Sequence, residues 1–311
     1  VLTGVNQTGA KLQVARADEM GVEFFETTAH GGARPSHAEW QGRQFHRGGA
    51  VDYMGKHYPD FEAATGYGTG AGLCGWNCSH TFFSIFPELG APPAWTQESL
   101  EALNARDIEY NGGKYTRYEI SQMQRARERT VRKYKRRYLA EDAAGADTTA
   151  SAVKLRQARQ ELSDFISATG GRADSARTSV AGFGRSASSK ASWAAKRQEQ
   201  LDAVNNDLTA LRQSGKIKLT GTAVPPPALP NTLSFEGHAI EQMGKRQISL
   251  AQANEIAEHA ILAISQRNGT QHAYYSEKGF IVIRQDGSIG TVGWLDDAGK
   301  QIVEVMKQHG F

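Results

Sequence analysis

Both cysteines of this 311-residue chain fall in one short stretch, GLCGWNCSH (72–80), as Cys74 and Cys78, with His80 two places further on. Two more histidines, His30 and His37, lie upstream in HGGARPSHAEWQGRQF (30–45). Thiolate and imidazole are donors that zinc accepts in tetrahedral sets. His30, His37, Cys74, Cys78 and His80 are therefore candidate ligands of a structural zinc ion. The same residues admit two other readings: small buried hydrophobes in a glycine-rich turn, or a disulfide formed late. In each reading the segment pins a loop-rich region and does no catalysis. Arg34, His37 and Glu39 around Pro35 admit a hydrolytic centre, but a hydrogen-bonded framework holding glycine loops is the preferred reading, since buried polar groups must be paired.

A second cluster is the run RYEISQMQRARERTVRKYKRRYLAED (117–142), helical by propensity and strongly basic. Arg125, Arg129, Arg132, Lys133, Arg136 and Arg137 are candidate contacts to nucleic acid, through phosphates and without sequence preference. A solvated helix, or one facing an acidic protein surface, is the alternative. A third cluster is HAIEQMGKR (238–246). His238 and Lys245 are seven residues apart and share a helix face, with Arg246 adjacent. Metal-independent RNA cleavage needs a proton acceptor, a proton donor and cations for the crowded phosphorane, and histidine titrates in the right range. His238 is the candidate acid or base, and Lys245 and Arg246 the phosphate clamps. Tyr274 and Thr291 (or His272) are strand residues able to position the phosphate. The alternative is a small docking domain without chemistry.

These clusters sit in regions of different character. Residues 1–115 are rich in glycine and aromatics. A helix is expected over about 6–20, with Leu12, Val14 and Met20 among its few apolar positions, and a strand over VEFFETT (22–28). Residues 116–221 read as a helical, basic, partly flexible spacer. Within it GGRADSARTSVAGFGRSASSKAS (170–192) is flexible by composition, and a helix over 193–215 carries Leu201, Val204, Leu208 and Leu211. TAVPPPALP (222–230) reads as a linker biased to an extended conformation. Residues 231–311 read as a small α-α-β-β-β-α domain. Ser234 is expected to cap its first helix, and Ser249 with Gln252 forms a capping box for a second helix running through 265. Strands are expected at 272–276, 279–285 and 288–294 around an Asp286–Gly287 turn, with a last helix after Asp296 or Asp297. The fold class is α+β: a loop-rich N-terminal α/β region, a helical basic spacer and the small C-terminal domain.

Composition sets the outer limits. Mean hydropathy is −0.52 and net charge +3. No apolar run approaches the ~18 residues that span a bilayer, so no membrane partner is expected. The N-terminus has no basic n-region followed by an apolar run, and two cysteines make no disulfide framework. A cytosolic setting is expected. The chain lacks an initiator Met and is expected to be a fragment or a processed product.

The stretch ETTAHGGARPSHAEWQGRQF (26–45), followed by YPDFEAATGYGTGAGLCGWNCSHTFFSIFPELGAP, resembles the phage minor capsid family, whose members sit near the portal in tailed-phage heads. The matching positions include His30, Gly32, Ala33, Arg34, Pro35, His37, Trp40, Gln41 and Gly42. They continue through Thr65, Gly66, Tyr67, Gly68, Gly72, Leu73, Cys74, Gly75, Asn77, Cys78 and His80. Ser79 departs from the arginine usual there. The family has a longer N-terminal helical part, so the resemblance implies that this chain is its C-terminal portion. More distantly the pattern is similar to head-morphogenesis proteins of the Mu type, some with C-terminal toxin domains. HAIEQMGKRQIS (238–249) resembles barnase–EndoU–colicin–RelE-like nucleases, with Gln242 where a basic residue is common. The resemblances imply a virion structural protein of a tailed phage or prophage, assembled in the host cytoplasm into the head. Its implied partners are portal, major capsid and scaffold proteins, and packaged DNA through the basic helix. The C-terminal module is implied to be toxin-like, with host RNA as the target of a virion-borne ribonuclease in the alternative reading. No cofactor is required, and a structural zinc ion is the one candidate.

Overall fold

The structure, a computed structural model, describes residues 2–235 and 237–311. It is α+β and divides into two compact units, one of residues up to Lys133 with Ala158–Ser179, the other of Tyr134–Gln157 with Val180–Phe311.

The first unit opens with α1 (Leu2–Met20). Its buried positions are Ala10 and Ala17, with Val14 between them, while Leu12 and Met20 are exposed. Small residues at a spacing of three to four let the helix approach closely, so alanines rather than the larger apolar residues face the core. Strand β1 (Phe24–Thr27) follows, then a single turn α2 (Pro35–Ala38), β2 (Gln44–His46), the hairpin β3 (Val51–Tyr53) and β4 (Lys56–Tyr58), α3 (Phe61–Thr65) and β5 (Phe82–Ser84). β1 is the centre of an antiparallel sheet ordered β2-β1-β5, pairing Phe25 with Phe45 and Thr27 with Phe82. Phe25, Phe61 and Phe82 are fully buried and pack ring against ring at 4.9–5.1 Å. Then come α4 (Gln97–Leu103), the hairpin β6 (Ile108–Tyr110) and β7 (Gly113–Tyr115), and the long α5 (Arg117–Ala143). Thr116 and Glu119 cap α5 reciprocally: the Glu119 amide donates to Thr116 Oγ1, and the Thr116 amide to Glu119 Oε2. Helices α6 (Thr149–Thr169) and α7 (Ser175–Thr178) complete this part of the chain.

The second unit contains α8 (Arg185–Gln213), which starts eight residues earlier than the helix expected at 193. The Ser/Ala run is helical because Ala191 and Ala195 are buried on the same side as Leu201, Val204 and Leu208, and packing outweighs a weak local preference. β8 (Thr222–Val224) then enters a sheet that also holds β9 (Leu262–Gln266), β10 (Gln271–Tyr275), β11 (Gly279–Arg284) and β12 (Ile289–Trp294). The sheet is antiparallel and ordered β12-β11-β10-β9-β8. It begins inside the segment expected to be a linker, and ends pairing where Pro225–Pro227 can donate no ladder hydrogen bond, as suits an edge strand.

Helix α9 (His238–Arg246) starts after Gly237, not after Ser234. The backbone of Ser234 instead bridges to the loop before β12. Helix α10 (Leu250–Glu258) has the capping box expected at Ser249 and Gln252. It stops at Glu258 rather than running through 265, and Leu262–Gln266 becomes the second strand of the sheet. Helix α11 (Asp297–Gln308) is capped by Asp296. Alternation along the strands feeds two cores. Leu262, Ile264, Ala273 and Tyr275 face Leu201, Val204, Ile302 and Met306 of α8 and α11. Ala263, Tyr274, Ile281 and Ile283 face Ala239 and Ile256 of α9 and α10. The module is thus a sheet covered on both sides, and residues 201–224, read from sequence as spacer and linker, contribute one of its cores. No helix among the described residues is long and apolar enough to cross a membrane.

Candidate metal centre

Short elements of the first unit converge on the histidines and cysteines. α2 starts at Pro35, whose fixed φ suits a first helical position, and its one turn buries His37. The loop from Gly66 to His80 folds back on itself. A Cβ on Gly72 would run into the Gly66 carbonyl, and one on Gly75 would lie 2.7 Å from the Thr69 oxygen. Cys74 and Asn77 take left-handed backbone conformations, at φ 58° and 54°. Asn6 of α1 holds the end of the loop, its Nδ2 donating to the carbonyls of Cys78 at 3.0 Å and His80 at 3.1 Å.

This folding brings three of the five expected ligands together. Donor atoms of His37, Cys78 and His80 lie within 4.8 Å of one another, and all three residues are buried. Cys78 Sγ is 3.7 Å from His37 Nδ1 and 3.6 Å from His80 Nδ1. The far nitrogens are tied to oxygens: His37 Nε2 to the Ala71 carbonyl at 2.9 Å, His80 Nε2 to Gln41 Oε1 at 3.0 Å. Gln41 Oε1 also accepts the His30 amide, and Trp40 packs on both His37 and His80.

Burial pulls the His80 imidazole down to about 3, and the neighbouring His30, His37 and Arg34 add to the effect. His37 is lowered for the same first reason, against the raising influence of its bond to Ala71. Both rings are neutral near pH 7, the form that binds metal. The donor set suits a soft or borderline cation.

Cys74 stands apart. Burial, with Cys78 nearby, pushes its thiol up to about 12, and its Sγ donates to the His80 carbonyl at 3.5 Å. It is a buried hydrophobe of the aromatic core. Both cysteines are free thiols, so the late-disulfide alternative is not the arrangement seen. His30 stacks on His80 with ring centroids 4.2 Å apart but is not one of the three converging donors. Among the described residues Glu39 makes no hydrogen bond or ion pair that would complete a hydrolytic set with His37. Gln41 was visible only as a motif position, and its spacing of four from His37, one helical turn, is the signal that places it on the same side.

A cavity of about 390 Å³ opens on this group. Arg34, Arg117, Arg125 and Arg177 line it together with the histidines, and none of its lining residues is acidic. Arg34 also donates to the Trp76 carbonyl at 2.7 Å. The basic run on α5 is otherwise divided among tasks. Arg132 donates to the Arg177 carbonyl and Arg137 pairs with Glu141 at 2.7 Å. Arg127 lies over the Phe165 ring at 4.1 Å. Arg129, Lys133 and Arg136 are exposed.

In the C-terminal module His238 and Lys245 do share a face of α9, with Glu241 between them. His238 Nδ1 is 3.9 Å, and Lys245 Nζ 2.5 Å, from a Glu241 oxygen. Arg246 reaches Thr291 Oγ1 at 3.4 Å and also donates to the Val292 carbonyl. Tyr274 is buried, donates to the Pro227 carbonyl at 3.2 Å, and is raised by burial. His272 is lowered by burial. The structure brings together Arg246 with Thr291 and His238 with Lys245, but not Tyr274 with either pair.

Residues 1–167 match the family described as phage minor capsid protein 2. No curated protein and no solved structure matches the chain.

Proposed function

We propose that this chain, which belongs to the phage minor capsid protein 2 family, is a structural component of a tailed-phage head, placed near the portal and acting in head morphogenesis. The observation that carries the reading is the family match, which spans more than half of the chain and includes the whole His/Cys loop. Portal, major capsid and scaffold proteins are the partners we assign. The experiment is mass spectrometry of gradient-purified, DNA-filled heads from phage encoding the chain. A fixed stoichiometry to the portal protein is expected; recovery only in the soluble lysate would overturn the assignment.

Within that role the His37–Cys78–His80 group serves as a zinc pin. The region buries little aliphatic surface and its loops need a fixed point, which a structural zinc ion supplies as folding free energy. The arginine-lined cavity is the part of the region we assign to packaged DNA. Arg117→Ala with Arg125→Ala is expected to weaken retention of duplex DNA and to reduce its salt dependence.

The family match ends at residue 167, before α8 and the strands of the five-stranded sheet. For that module a second reading, a toxin-like ribonuclease, draws on the meeting of Arg246 with Thr291 beside the His238 face. Against it stands Glu241, whose carboxylate pairs with Lys245 at 2.5 Å and lies 3.9 Å from His238 Nδ1, so that neither is left free for a phosphate. Incubation of total RNA with the full chain and with His238→Ala, in EDTA, separates the two. Cleavage lost in the variant supports the nuclease, and intact RNA from both leaves a docking module.

A further inference from the structure

Cys78 faces His37 and His80, His30 stacks on His80, and each of the three histidines already has one ring nitrogen committed to an oxygen. His37 Nε2 faces the Ala71 carbonyl, His80 Nε2 faces Gln41 Oε1, and His30 Nδ1 faces the Gly31 carbonyl at 3.2 Å. Gln41 Oε1 is an acceptor because it also receives the His30 backbone amide. Oxygens of this kind only accept, so the facing nitrogens carry the protons and the opposite nitrogens carry lone pairs. Two of those lone pairs, on His37 and His80 Nδ1, face Cys78 Sγ. The third, on His30 Nε2, is buried and meets no hydrogen-bond partner among the described residues. A buried polar atom left unmatched is costly and calls for a partner. An imidazole whose far N–H is held by a carbonyl or amide oxygen is the arrangement in which metal-bound histidines are oriented.

We infer that His30 Nε2 is the fourth ligand of the zinc ion held by His37 Nδ1, Cys78 Sγ and His80 Nδ1, so that the site is closed and structural. The inference rests on the zinc reading of this region. Binding deprotonates the Cys78 thiol, the proton leaving to solvent, and one thiolate with three neutral imidazoles leaves a net charge of +1 on the centre. A ligating nitrogen lies in the plane of its ring, whereas His30 now stacks on the face of His80 at an interplanar angle of 30°. Metal loading therefore turns the His30 ring out of the stack and away from its present Nδ1 contact with the Gly31 carbonyl, so only His37 and His80 are held in the ligating orientation beforehand. With four protein ligands no position is left for water, which distinguishes this centre from a hydrolytic one. Gln41 acts as a positioning residue, its one oxygen orienting His80 through the ring and His30 through the backbone.

The test uses the full chain loaded with zinc or with cobalt(II). The wild type is expected to hold one zinc per chain, and its cobalt form to show four-coordinate absorption bands that added imidazole does not move. His30→Ala is expected to lose zinc to a competing chelator about tenfold or more readily, and its cobalt bands to shift with imidazole, which fills the vacated position. His30→Cys replaces one zinc donor with another. It is expected to retain zinc, whereas a purely packing role for His30 predicts loss in both variants. Equal retention and identical bands in His30→Ala and wild type would overturn the fourth ligand. A wild type without zinc would overturn the pin itself, independently of His30.

Discussion

The C-terminal module buries Leu262, Ile264, Ile281, Ile302 and Met306 around a five-stranded antiparallel sheet packed against helices. The N-terminal region has a three-stranded sheet and buries aromatic rings together with Glu26, His37, Gln41 and His80. Its loops are held by side chains that reach backbone carbonyls, such as Asn6 to Cys78 and His80, Thr27 to Trp40, and His37 to Ala71. One region is stabilised by area removed from water, which is tolerant of shape. The other is stabilised by particular pairings in a tight backbone, which are not.

Four measurements would break or sharpen that contrast. The largest effect is expected from Gly72→Ala. The added methyl collides with the Gly66 carbonyl, a backbone atom that cannot move aside, so the N-terminal region should lose more than about 4 kcal/mol or fail to fold. Gly4→Ala, on an open helix face, should be neutral or stabilise by up to about 1 kcal/mol. Thermal unfolding of both variants checks the pair, and equal effects would remove the claim that loop closure is what holds this region.

Next in size, Ile281→Ala should cost about 2–5 kcal/mol by leaving a cavity in the second unit. Zinc content should stay unchanged, because no Cys78 or histidine contact is altered. Coupled loss of metal would show that the two regions are not held separately.

The third is the response of the metal-free protein to acid. His80 and His37 have folded values below the ordinary histidine value, so between about pH 6.5 and the folded value the unfolded chain binds more protons. Their contribution is present above pH 6.5 and declines as pH falls toward 3. In the C-terminal module His272 shares this direction. Glu255 and Glu277, paired with Lys278 and Lys307, and Asp286, bonded to Ser288, are held below their ordinary values, and their contributions are lost only at lower pH. Hydrogen exchange across a pH series should show the 66–80 loop opening before β10 and β11. The reverse order would sink the contrast. The smallest effect is Glu241→Gln, which removes an exposed pair with Lys245 and should change stability by no more than about 0.5 kcal/mol in a urea titration.

Much of this was legible in the chain itself. The capping box at Ser249 and Gln252, the Asp286–Gly287 turn and the cap at Asp296 were local, and each appears where the residues demand it. Helix length was less legible. HAILAIS reads as a continuation of α10, yet Leu262 to Ile264 is the buried part of a strand, because a short apolar run suits a helix or an interior strand equally and only the neighbouring strands choose. The strand at Thr222–Val224 was hidden for a related reason, since the prolines after it read as a linker.

At the candidate metal centre the same division holds. Sequence alone determined the family, the donor types and the concentration of His and Cys within one loop system, since these depend on residue identity and order. Only the tertiary structure decided that Cys78 rather than Cys74 faces His37 and His80, and that Gln41 Oε1 ties His80 to His30. The physical reason is the left-handed turn at Cys74 and Asn77, beside glycines that admit no Cβ, which buries both thiols in the aromatic core but aims only that of Cys78 at the histidine rings.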